Sequence, residues 1–230
     1  MLLEPDAENE VAYELCQLLG RAILPIRPAG PTDDGPAGTA FLFAHRTGEY
    51  LLTADVVTRV EAGEVGLRPS VTEPAGVAPD ALVLPHFADR WTHRPDLGVA
   101  VLPTGELHER AAGQGWRWRT QPVPDAVAAG ADDVAGIGAE PVSAIVLALG
   151  VRDDGSRPLE VAVERAVRAD DGLRITGELP AGYVGAPVFG VRADATGEVG
   201  LRCLGLVLPG EGGHPVATFD RITAELPTGG

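Results

Sequence analysis

The residues of this chain that could do chemistry are few, and their spacing is informative. Residues 177–190, GELPAGYVGAPVFG, have the cadence of a glycine-rich turn that presents a nucleophile. The side chain at its apex is Val184, and an aliphatic group can neither attack a carbonyl nor move a proton. Serine occurs only at Ser70, Ser143 and Ser156, none of them in a tight glycine turn suited to an exposed nucleophile. The five histidines, His45, His86, His93, His108 and His214, include no two at the spacing of a typical zinc pair; His86 and His93 are the nearest. Cys16 and Cys203 stand far apart and outside any metal or redox spacing, so both read as reduced and structural. The GIG within residues 129–140 lacks the strand before and the helix after it that a dinucleotide site requires. The expectation is no metal and no cofactor.

Charge narrows the partners. The formal net charge is −15, with 33 acidic residues against 18 basic ones, all arginine. A polyanion would be repelled, so nucleic acid is not expected, whereas a basic protein could be steered toward the surface. Trp116 and Trp118 alternate with Arg117 and Arg119, and with this charge they are expected to cover a junction between two halves rather than to stack on bases. The opening ten residues are acidic and carry no secretory pattern, and the longest apolar run, around VSAIVLALGV, has the length of a buried strand. These features predict a cytoplasmic protein with no membrane span.

The elements that must position any site follow from periodicity. Val11, Leu15, Leu18 and Leu19 recur at helical spacing, with Glu8 and Glu10 in the first turn and Gly20 at the end, which predicts a short amphipathic helix within residues 1–20. Beyond Gly20 the chain breaks into short aliphatic runs separated by Gly, Pro and Asp, the texture of an all-β fold. Six strands are expected near 22–27, 39–44, 50–54, 64–69, 80–85 and 97–103, and six more near 142–150, 159–167, 172–178, 186–192, 201–209 and 215–219. A polar stretch over 104–124 reads as the crossing between them. The boundaries fall at 21–118 for the first half with its crossover and 119–230 for the second.

Three segments, in this order, resemble the trypsin-like (chymotrypsin-fold) serine peptidases. GTAFLFAHRTGEYLLTADVV (38–57) is similar to the family's opening G-T-G-F-L-V … L-V-T-A-x-H-V-V, RPDLGVAVLP (94–103) to its D-L-A-V-L strand, and GYVGAPVF (182–189) to its G-N/D-S-G-G/S-P-V-F. Residues 201–226 resemble the late strand pair and closing helix. The resemblance implies two six-stranded antiparallel β-barrels with a short N-terminal helix and a C-terminal helix. It places the family's histidine at Val56 (or Asp55, one residue tighter), its aspartate at Asp96 and its serine at Val184. The oxyanion-hole amides fall on Gly182 and Val184, and the residue before the nucleophile position is Tyr183.

Two of the three catalytic groups are thus absent, and the usual peptidase chemistry needs nucleophile and base together. Asp96 is expected to survive as a hydrogen-bonded structural carboxylate, with donors near Asp55, Val56 or Thr53. The reading that follows is a trypsin-like homologue that binds a protein or peptide in the cleft between its barrels without cutting it. Two alternatives stand beside it: a hydrolase built on non-inherited residues such as His45, His93 or Thr53, and a scaffold whose cleft its own side chains fill.

Overall fold

A computed structural model describes residues 2–30, 35–138, 141–149, 158–169, 172–193 and 198–226. The first half contains β1 (Ile23–Pro28), β2 (Gly38–His45), β3 (Gly48–Ala54), β4 (Ala62–Gly66), β5 (Thr72–Glu73), β6 (Ala81–Pro85), β7 (Thr92–Arg94) and β8 (Val99–Pro103). Helix α1 (Pro5–Leu19) precedes it, and α2 (Gly105–Gly113), β9 (Arg117–Trp118), β10 (Val123–Pro124) and α3 (Ala131–Ala135) form the crossing. The second half comprises β11 (Val142–Leu149), β12 (Leu159–Ala169), β13 (Gly172–Ile175), β14 (Pro187–Ala193), β15 (Val199–Val207) and β16 (His214–Thr218), closed by α4 (Phe219–Ala224). All twelve expected strands are present. Gly150, at the end of one of them, lies outside the described residues, as does Ser156.

The second half is a closed barrel in the order β11-β12-β13-β16-β15-β14. The first is an eight-stranded sheet, ordered β6-β4-β1-β2-β3-β8-β7 with β10 pairing to β2, in which the terminal strands β6 and β7 do not pair. The architecture is therefore the expected pair of barrels, but the first one is open along one edge. Arginines occupy that edge: Arg110 donates to Val83 O at 3.2 Å and Arg90 to Pro85 O at 3.2 Å. These cations satisfy carbonyls that a neighbouring strand would otherwise have taken.

Strand sequences such as FLF in β2 and the fully buried VSAIVLAL of β11 are continuous rather than alternating because both faces are covered. Leu24, Leu42, Leu51, Val65, Leu82 and Phe87 fill the first barrel, while Val142, Ala144, Val146, Val188 and Leu204 fill the second. Residues of opposite parity, among them Phe41, Phe43, Leu52, Ile145, Leu147 and Phe189, form a third core between the barrels, together with Leu15 and Leu19 of α1 and Phe219 and Ile222 of α4. Trp116 and Trp118 belong to the first barrel's core instead of the junction between halves, and the Trp118 indole donates to Leu107 O at 3.1 Å beneath α2.

Helix α1 corrects its expected apolar stripe. Leu18 is exposed, and the buried positions are Glu8, Ala12, Leu15 and Leu19, a regular helical face that includes a carboxylate. Glu8 is held by Arg165 Nη1 at 2.8 Å and by the Ser143 hydroxyl, so the helix is fastened to β11 and β12 by charge as well as by apolar contact. At its other end, Arg68 donates to Gly20 O and, at 3.1 Å, to Ile23 O; burial pulls its guanidinium below the ordinary value. That cation supplies from outside the helix the charge that its last turn lacks.

Candidate functional site

Three segments converge where the barrels meet. The end of β3 runs into a 3-10 turn, Asp55–Thr58; the β7–β8 connection carries residues 95–98; and a second 3-10 turn, Ala181–Tyr183, leads through Val184 into β14. Gly38 lies between the first and the third: a Cβ placed there would stand 2.6 Å from Val184 O and 2.7 Å from Val57 Cγ1. The Asp55 amide donates to Gly98 O at 2.8 Å, which ties the first segment to the second. The neighbourhoods of residues 56, 96 and 184 are thereby brought together.

The turn at Val184 is held by hydrogen bonds from both barrels. Thr39 N donates to Val184 O at 2.9 Å and Thr39 Oγ1 to Gly182 O at 2.7 Å, while Thr53 Oγ1 donates to Thr39 O at 2.7 Å. Thr39 and Thr53 are wholly buried. On the other side Gly185 N reaches Val207 O at 2.8 Å. Gly185 adopts φ +89°, and a Cβ on it would lie 2.2 Å from Thr39 O and 2.3 Å from Thr53 Oγ1. Only glycine satisfies both demands.

This geometry commits one of the two amides, that of Val184, on which the expected oxyanion hole depends. The Val184 amide donates to Ala181 O at 3.1 Å, inside its own turn, so it does not serve as a free donor for a ligand's carbonyl. The Val184 side chain is 9% exposed and packs into the core between barrels, whereas Val56 is 41% exposed on the surface of its turn.

Asp96 also departs from expectation. It is exposed, and no described residue hydrogen-bonds to its side chain; the Asp55 amide is taken by Gly98, and Thr53 by Thr39. The carboxylate that is satisfied here is Asp55. One of its oxygens meets His93 Nδ1, and the other accepts from Arg59 Nε at 3.0 Å and Nη2 at 2.9 Å. His93 Nε2 lies 2.8 Å from Ala88 O, so both of its ring nitrogens face acceptors and neither is left for a substrate. His45 turns its Nδ1 to Thr47 Oγ1 at 2.7 Å. The Asp55–His93 pair was not legible as a pair; the one local signal was the i,i+4 spacing of Asp55 and Arg59. Among the described residues no cluster of three metal-ligating side chains occurs, and no helix is long and apolar enough to cross a membrane.

Two depressions flank the converged segments. One, about 490 Å³, is lined by His93, Arg94, Asp96, Leu97, Arg221 and Glu225. The other, about 310 Å³, opens between the barrels, with Ile26, Arg27 and Gly38 on one wall and Leu149, Glu160 and Tyr183 on the other. Burial first, then the charge of Glu160 and the nearby Cys16 thiol, push the Tyr183 phenol up to about 12. Burial likewise raises the Cys16 and Cys203 thiols, which suits inert structural groups.

No protein-family model matches the chain, and no curated protein matches it. Among solved structures it is similar to the serine endoprotease from Yersinia pestis, at 12% identity over 93% of this chain with a TM-score of 0.51; the chain spans 64% of that protein's length. It is also similar to the thermostable serine protease AL20 from an extremophilic microorganism, at 12% identity over 89% of this chain and 98% of that one, with a TM-score of 0.50. At such identity the likeness shows the fold, which is that of the two-barrel serine proteases.

Proposed function

We propose that this chain is a non-cleaving homologue of the two-barrel serine proteases that holds a protein or peptide segment in the groove between its barrels. The observation that carries the reading is the state of Val184. Its side chain has no chemistry to offer, its amide is spent on Ala181, and its carbonyl is spent on Thr39. The turn that presents a nucleophile in an acyl-transfer enzyme here joins two barrels, while an open groove with apolar walls remains beside it.

Hydrolysis is tested directly. A fluorophosphonate ester, which labels activated serines, should not label the protein, and denatured protein should not be turned over. Sustained turnover abolished by His93→Ala would establish the hydrolase alternative instead. Binding is tested at Gly182, where a Cβ meets nothing within 4 Å and φ is not in the left-handed region, so a leucine fits the fold and fills the groove. Partners captured by the wild-type protein should be lost with Gly182→Leu; their retention would move the binding surface elsewhere.

A further inference from the structure

A depression of about 310 Å³ lies at the mouth of the second barrel and shares no lining residue with the groove between the barrels. Strand alternation builds it. Val188 of β14 and Leu204 of β15 point into the second core, and Gly190 and Arg192 continue the inward face of β14 as Arg202 and Gly200 continue that of β15. In the register of the two strands Arg202 stands opposite Gly190, and Arg192 opposite Gly200. Each guanidinium thus faces a position with no side chain, and a slot opens between them. Its floor is apolar, made by the buried Ile137, Val142 and Leu204. Across from the strands, α3 and the residue after it contribute Asp132, Asp133 and Gly136.

The fold makes little use of the charges on this rim. Arg192 reaches Gly136 O only at 3.4 Å, and Arg202 has the adjacent Leu201 O at 3.0 Å and the Asp133 carboxylate at 3.6 Å. Asp133 itself accepts from the Gly130 amide at 2.9 Å. No described residue bonds to the Asp132 carboxylate, which is exposed at the edge of the depression. Arg192 and Arg202 are diagonal neighbours on one face of the strand pair, within reach of each other for long side chains, so their like charges repel unless an anion lies between them.

We propose that the mouth of the second barrel binds a free α-amino acid with an aliphatic side chain, its carboxylate between Arg192 and Arg202, its ammonium at Asp132 and its side chain on Ile137, Val142 and Leu204. Each part of such a ligand answers a group of the site. Planar guanidinium forks match a carboxylate, Asp132 supplies the charge that a simple anion would leave unanswered, and an apolar floor with a few convergent polar groups is the usual build of a small-molecule pocket. The overall charge of −15 repels a simple anion but acts little on a zwitterion, which carries no net charge. The site is independent of the groove between the barrels and of the binding role proposed for it.

The test is an NMR titration of the full chain with leucine and three compounds that each lack one of its parts: isocaproate without the ammonium, leucinamide without the carboxylate, and glycine without the side chain. The Gly136 and Gly190 amides, both in the wall of the depression, report occupancy. Leucine should bind at least about tenfold more tightly than isocaproate or leucinamide, the scale of a charge-assisted contact, and more tightly than glycine. Asp132→Asn should bring leucine down to the affinity of isocaproate, and Arg192→Gln should narrow its advantage over leucinamide. Both residues are exposed, so neither change should move the unfolding midpoint. Isocaproate binding as well as leucine, or a preference for leucine that survives Asp132→Asn, makes this an anion site and overturns the amino-acid inference. Leucinamide binding as well as leucine overturns the role of the arginines, and the inference with it. Failure of all four compounds to shift either glycine amide overturns the site itself.

Discussion

Two seams join the segments at the centre of this molecule, and they are made of different material. At the first, Thr39, Thr53, Gly182, Val184 and Gly185 are stitched by neutral hydrogen bonds, and both threonines are fully buried. At the second, Asp55, His93 and Arg59 form an ionic cluster whose side chains keep from 17% to 50% of their exposure. The contrast follows from solvent. A neutral bond buried without water loses much if one partner goes, because the other is stranded; a half-exposed charge regains hydration when its partner leaves. The first seam should therefore be structural and insensitive to salt, the second weaker and tunable.

The largest contrast lies between the two glycines nearest Val184, Gly182 and Gly185. Gly185→Ala places a Cβ against Thr39 O and Thr53 Oγ1 at a left-handed backbone angle, and strain and overpacking together should cost about 3 kcal/mol or more. Gly182→Ala, in open space, should change stability by less than about 0.5 kcal/mol. Denaturant unfolding of both variants measures the difference. Equal effects would mean that the turn is not the fastening between the barrels.

The ionic seam comes next in size. Asp55→Asn removes the charge shared by His93 and Arg59 and should cost about 1 kcal/mol at low salt, an effect that shrinks toward zero near about 1 M salt. The Gly185→Ala penalty should not change over the same range. A salt-independent loss for Asp55→Asn would place this cluster with the buried seam.

The sequence made the first seam visible only as a pattern. The run of glycines around Val184, the paired aliphatic strands and the order of three segments were enough to expect two barrels and to place Val56, Asp96 and Val184 in neighbouring segments. What stayed hidden depended on direction rather than identity. Nothing in GYVGA shows that the Val184 amide turns inward to Ala181, since glycine permits that turn and its opposite equally. Asp96 looked like the inherited carboxylate, but the turn that carries it, closed by Gly98 N to Pro95 O at 3.2 Å, points it to solvent and leaves Asp55 to meet His93. Glu8 read as a first-turn acid, and only the face on which α1 lands makes it a buried partner of Arg165 and Ser143. Long-range pairings of this kind have no local spacing to betray them.

The smallest effect at neutral pH belongs to the one titratable side chain within the buried turn. Tyr183 holds its proton up to about pH 12 in the folded protein, whereas an unfolded tyrosine releases it near about pH 10. Below the lower value both states are protonated and the group contributes no pH dependence. Between the two the unfolded state has lost a proton that the folded state keeps, so stability must fall as pH rises through that window. Tyr183→Phe should therefore leave neutral-pH stability nearly unchanged, because no described residue bonds to the hydroxyl, and should flatten the decline between about pH 10 and 12. Unfolding midpoints of the two proteins measured across that range supply the check. Parallel decline in both would mean that the phenol reaches solvent freely, and the neutral seam would then contain no buried acid at all.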